Sequence, residues 1–160
     1  MALTYSNYLK IEELLSLQQM QSGGEDHDEM LFIIIHQVYE LWFKEMLHEI
    51  DFLKQHLATN DIAYAAKTLK RILTILNINI AQIDVLETMT PLEFLTFRDR
   101  LGTASGFQSS QFRELEYVLG HRHKTMNMLN NFPEDSPERK RLLTKMNSPS
   151  IWDAFLRFLA

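Results

Sequence analysis

Arginine, serine and glycine crowd into one stretch, FRDRLGTASGFQSSQFR, residues Phe97 to Arg113. The chain has five glycines, and Gly102 and Gly106 both fall here. Arg98 carries a rigid guanidinium fork that fits a carboxylate through two parallel hydrogen bonds. Asp99 is next in sequence but points elsewhere on a helix, so it does not obviously fill the fork. Glycine lets the backbone bend where a side chain would clash. Ser105, within that bend, offers a hydroxyl and an amide. Two readings stay open on these residues: a polar pocket for a small anionic or zwitterionic ligand, or a loop stapled by its own arginine.

A second group surrounds His36 in the most apolar segment, MLFIIIHQVYELWF. Phe32 lies one turn before it, and Tyr39 and Phe43 follow on the same helical face. A histidine there can offer a ligand one ring nitrogen while the other is held. A lone histidine on such a face is more often a satisfied core residue. Glu45 and His48 form half of the Glu-x-x-His pattern of di-iron bundles, which needs the motif twice. It occurs once, so pairing on a helix surface explains it better. His121 and His123 flank Arg122 after Gly120 and read as a cationic cluster at a helix end.

These side chains need helices to hold them. Leucines from Tyr8 to about Gln18 recur at helical spacing, before a break at QSGGED. Asp26, with Glu29 three residues on, predicts an Asp-type capping box for a helix running to about Ala58. Its first half is apolar nearly all round and should be central; its second half is amphipathic. Asp61 to Thr88 lacks glycine and proline, and Ile62, Ala65, Leu69, Ile72, Leu76, Ile80 and Ile83 step along it. The short TND connection makes this helix antiparallel to the one before. Thr90, Pro91 and Glu93 cap a third helix that stops at Gly102. Ser105 with Gln108 predicts a further cap, for the helix that carries Phe112 and ends at Gly120. Ser136 and Pro137 open another. No segment alternates with a period of two, so the class is all-α, with long antiparallel helices in a bundle-like arrangement.

Length and charge narrow the field. The 160 residues suit a single all-α domain, 1–160, with one substantial core. A net charge of −5 argues against a nucleic-acid partner. The absence of cysteine excludes disulfides, thiolate metal sites and a cysteine nucleophile, and fits a cytoplasmic protein. The most apolar segment is too short to span a bilayer and is interrupted by Glu40, so no membrane is expected. The last segment, SPSIWDAFLRFLA, is amphipathic and carries no stop signal. It predicts that these residues are the N-terminal part of a longer chain.

HDEMLFIIIHQVYELWFKEMLHE, together with LETMTPLEFLTFRDRLGTASGFQSSQFRELEYVLG and the leading TYSNYLKIEELL, resembles the tryptophan 2,3-dioxygenase family from about Thr4 to Ala160. The resemblance implies an all-α, haem b-dependent homotetramer. Such an enzyme adds both atoms of O2 across the C2–C3 bond of the indole of L-tryptophan, giving N-formylkynurenine, the first step of the kynurenine route. It implies that His36 is the distal, catalytic histidine, bonded to the indole N–H, and that Phe32 lines the indole pocket. It implies that Arg98 clamps the substrate carboxylate with Phe94 beside it, and that Ser105 lies above the haem. Tyr5, Tyr8 and Leu9 match residues that reach into a neighbouring subunit's pocket.

Phe94 stands where some members carry tyrosine, and Ile83 where some carry tryptophan. The family's proximal haem histidine and its Thr/Gly-rich loop over the substrate ammonium fall beyond Ala160, and His121 and His123 do not match that ligand. No residue here is therefore expected to ligate iron. The alternative is a non-catalytic helical oligomerisation module, a short paralogue without the haem-ligand half.

Overall fold

The computed structural model describes residues 2–122 and 126–160, the Met126 side chain excepted. Eight α-helices follow one another among them: α1 Tyr5–Leu9, α2 Ile11–Leu15, α3 Asp28–Ala58, α4 Ile62–Leu86, α5 Pro91–Arg98, α6 Ser110–Val118, α7 Pro137–Asn147 and α8 Ile151–Leu159. Short 3-10 turns join several of them, and no strand occurs among the described residues. The all-α expectation holds.

The frame is the α3–α4 hairpin. Asn60 takes a left-handed φ of 57°, and Asp61 Oδ1 then caps α4 by accepting from the Tyr64 amide at 3.3 Å. Pairs across the hairpin keep a nearly constant sum of residue numbers, as antiparallel helices require. Tyr39 Oη donates to the Asn79 carbonyl at 2.8 Å, and Arg71 Nη1 meets Glu49 Oε1 at 2.5 Å further along. The core between them is Met46, Ile50 and Leu53 from α3, Ala65, Ile72 and Ile75 from α4, and Leu115 and Val118 from α6. Each Met, Ile, Leu or Val among them contributes about 1.5–3 kcal/mol over its exposed state. A smaller cluster of Tyr117, Leu129, Phe132 and Leu142 joins α6 to α7.

Four local expectations change. The N-terminal helix is broken, because Lys10 adopts φ 55° between α1 and α2. Asp26 does not cap α3: His27 holds the cap position without a side-chain bond. Glu29 instead reaches back to the preceding loop, its carboxylate accepting from the Gln21 and Ser22 amides at 2.7 and 2.9 Å. The apolar first half of α3 is not central either. Ile34 and Leu41 are exposed, and the fully buried apolar residues beyond Ile35 are in the second half, where α4, α6 and α8 pack. On α4 the buried apolar line is Ala65, Ile72 and Ile75, while Ile62, Leu69, Ile80 and Ile83 stay exposed. The apolar face of α4 is wider than one partner helix covers, so its flanks line open cavities.

No single helix among the described residues is long and apolar enough to cross a membrane. α4 and α5 reach that length and composition only as a pair bent by 88°.

Candidate functional site

The site forms where the first half of α3, the end of α5 and the segment from Gly102 to Gln111 meet. α5 starts as expected: Thr90 Oγ1 accepts from the Glu93 amide at 3.3 Å, and Glu93 returns a carboxylate to the Thr90 amide at 2.7 Å. After a 3-10 turn over Asp99–Leu101 the chain turns at Gly102, with φ 56° and ψ −124°. That backbone is essentially reserved for glycine. Gly106 differs from expectation, since it keeps an ordinary negative φ and opens a 3-10 turn. An added Cβ there meets nothing within 4 Å. Its lack of a side chain leaves a cavity wall open rather than permitting a bend.

His36 Nδ1 lies 2.6 Å from the Phe32 carbonyl oxygen. A carbonyl can only accept, so Nδ1 carries the proton, and in the neutral ring Nε2 is left as an acceptor. The Phe32 ring packs on the imidazole, with centroids 4.2 Å apart. Phe94 and the fully buried Phe97 each lie 5.6 Å from Phe32 and hold it in place. The half-buried imidazole is thus fixed by one hydrogen bond and a backing of three rings.

Two cavities open beside it. One, of about 440 Å³, is lined by Phe32, His36, Glu40, Ser105, Gly106 and Ser109 among others. The second, of about 680 Å³, shares His36, Glu40, Gly106 and Ser109, and its far walls are aliphatic and aromatic, including Leu76, Ile83 and Phe112. Ser105 closes the capping box with Gln108: its amide donates to Gln108 Oε1 at 3.2 Å, and its Oγ accepts from the Phe107 amide at 3.3 Å. The amide is therefore committed, and the hydroxyl proton is what Ser105 offers a ligand.

The structure brings Phe32, His36 and Ser105 to one cavity and sets Phe94 against Phe32. It does not bring Arg98 there. Arg98 Nη1 donates to the Gly102 carbonyl at 3.0 Å, so the guanidinium staples the turn at the end of its own helix. No carboxylate pairs with Arg98 among the described residues. Tyr5, Tyr8 and Leu9 lie exposed on α1 and line neither cavity. His121 lines the larger cavity, and His123 lies outside the described residues. Glu45 borders a groove with Arg71, and no group of three or more His, Asp or Glu is placed to hold a metal among the described residues.

Sequence reasoning missed two residues. Glu40 registered only as a charge in an apolar run, although it stands one turn after His36 on the same face; it lines both cavities. Glu116 also lines the larger cavity. Burial pushes its carboxyl above the ordinary value, against the pull of Arg113, whose Nη1 lies 2.7 Å from Oε2. Burial likewise raises the Tyr39 phenol, which donates to Asn79.

A model of the family described as tryptophan 2,3-dioxygenase matches residues 1–159. The chain belongs to the tryptophan 2,3-dioxygenase family. A tryptophan 2,3-dioxygenase of Herpetosiphon aurantiacus is 54% identical over 158 residues, which covers 99% of this chain and 60% of the relative. That of Anaeromyxobacter dehalogenans is 52% identical, with 58% of its length covered. That of Xanthomonas campestris is 44% identical, with 52% covered. The chain thus spans somewhat more than half the length of these family members, and the match runs through all the α3, α5 and α6 residues described above.

Proposed function

We propose that these residues form the substrate-facing part of a cytoplasmic, tetrameric haem dioxygenase that converts L-tryptophan and O2 to N-formylkynurenine. The observation that carries the reading is the His36 tautomer. With Nδ1–H committed to Phe32, Nε2 faces the site as an acceptor, the group an indole N–H requires. Phe32, backed by Phe94 and Phe97, supplies an aromatic wall for the ring. Arg98 takes the carboxylate: among the described residues its fork has no acidic partner, and its bond to the neutral Gly102 carbonyl is weaker than a bidentate pair with an anion. Tyr5, Tyr8 and Leu9, exposed on α1, are free to close a neighbouring subunit's pocket.

The larger cavity fits haem b in chemistry. Its walls are mostly apolar, as a porphyrin face needs, with Ser105 and Gly106 on the adjoining loop and Ile83 and Phe112 opposite. Bound haem would supply the iron that binds and activates O2. The residues here orient the indole, hold its N–H proton at Nε2 of His36, and exclude water from the ring. No residue of this chain is assigned to the iron.

The test is spectroscopic and chemical. Haemin added to the complete protein should give a Soret band that shifts with L-tryptophan, and the haem-loaded enzyme should form N-formylkynurenine under O2. A complete protein that takes up no haemin and makes no product overturns the reading and leaves a helical assembly module.

A further inference from the structure

Gln111 is the first side chain of α6 that reaches back to α3. Its Nε2 donates to the Glu40 carbonyl at 3.0 Å and to Glu40 Oε2 at 2.7 Å. Both partners are acceptors, so the amide orientation is fixed: a flipped Gln111 would turn its oxygen on two oxygens. The next residue, Phe112, packs on Phe43 of α3 with centroids 5.4 Å apart. A polar and an aromatic tie therefore dock the start of α6 one and two turns beyond His36.

The chain between Ser105 and this anchor has little freedom. The Ser105–Gln108 box holds the 3-10 turn Gly106–Gln108, and Ser109 Oγ caps α6 by accepting from the Phe112 amide at 3.1 Å. Upstream the chain turns at Gly102, where Arg98 Nη1 donates to the carbonyl. The segment carrying Ser105 is thus one capped unit between the Gly102 turn and the Gln111 anchor. Glu40 stands between the two cavities and lines both, together with His36, Gly106 and Ser109. We propose that the Gln111–Glu40 bond is a positioning clamp: it sets the separation between the Ser105 segment and His36, and so the width of the ligand cavity. Its effect on tryptophan rests on the functional reading above; the clamp itself does not.

Two measurements test it, using Glu40→Ala, Gln111→Ala, their double variant, and Glu40→Gln, whose amide oxygen can still accept from Gln111. The first is hydrogen exchange of the amides from 103 to 111 in ligand-free protein. It should speed up in both alanine variants and stay near wild type in Glu40→Gln. The second is steady-state kinetics of the haem-loaded enzyme. KM for tryptophan should rise about ten-fold in either alanine variant, with kcat changed less than about two-fold, because a bond to a carboxylate is lost without touching the reacting atoms. The double variant should be no worse than Gln111→Ala alone, since that change already removes both the bond to the Glu40 carboxylate and the bond to its backbone carbonyl. Unchanged exchange in the alanine variants overturns the clamp, as does a Glu40→Gln that behaves like Glu40→Ala. Faster exchange with an unchanged KM overturns the positioning role. If wild type binds no tryptophan at all, the substrate reading fails while the exchange comparison still decides the clamp.

Discussion

Replacing His36 by Leu tests the tautomer directly. The wild-type ring offers Nε2 as an acceptor because Nδ1 is pinned to the Phe32 carbonyl at 2.6 Å. Leucine keeps comparable bulk against Phe32 and offers no acceptor. An indole N–H buried without a partner costs about 1–3 kcal/mol. The imidazole is only half-buried, so water can recover part of that, and the lowest quarter of the range applies. About 1–1.5 kcal/mol corresponds to a five- to twelve-fold rise in Kd for L-tryptophan. The control ligand is the benzothiophene analogue, in which sulfur replaces the N–H at nearly the same size. Wild type should bind it about five- to twelve-fold more weakly than tryptophan, and His36→Leu should bind it as wild type does. Calorimetric titration of the haem-loaded protein, two proteins by two ligands, gives the coupling. If His36→Leu weakens both ligands equally, His36 only shapes the cavity and the assignment falls.

Further predictions follow from the same geometry. Phe97→Ala removes a fully buried ring from the cluster behind Phe32 and should cost about 3–5 kcal/mol in urea unfolding; a loss below about 1 kcal/mol contradicts the packing. Gly102→Ala forces φ 56° on a residue with a Cβ and should cost about 1–3 kcal/mol, measured the same way. Gly106→Ala should leave stability within about 0.5 kcal/mol, because its φ is ordinary, yet lower tryptophan affinity by placing a methyl in the cavity wall. Burial raises the Glu29 carboxyl, but the Ser22 hydroxyl, the Ser22 and Gln21 amides and the Arg100 charge outweigh it and bring it below the ordinary value. A carboxyl lowered on folding adds stability that is complete above its unfolded pKa and lost as pH falls through the folded one. The stability gap between wild type and Glu29→Gln should therefore be constant near neutral pH and shrink in acid below the ordinary carboxylate range; a gap that widens there contradicts the sign.

What the sequence determined alone was local. Helix class, the long hairpin and the caps at Thr90 and Ser136 depend on neighbours three or four residues apart, and those are visible in a string; Ser105 pairs with Gln108 as expected but caps a 3-10 turn, and Ser109 caps α6. The family was legible too, since its long motifs keep their order. Burial and partner choice were not. The first half of α3 is apolar all round, so periodicity could not say which face meets a partner, and the structure leaves much of it lining cavities. Glu29 looked like a capping residue, yet its carboxylate was taken by a loop behind it. Arg98 kept its place on α5, but whether its fork faced a ligand or the Gly102 carbonyl depended on how the chain turned after the helix. Glu40 and Gln111 are 71 residues apart, and nothing in either one's neighbourhood names the other. Only the docking of α6 on α3 joins them, because long-range contacts follow from how helix surfaces fit, not from the period of one helix.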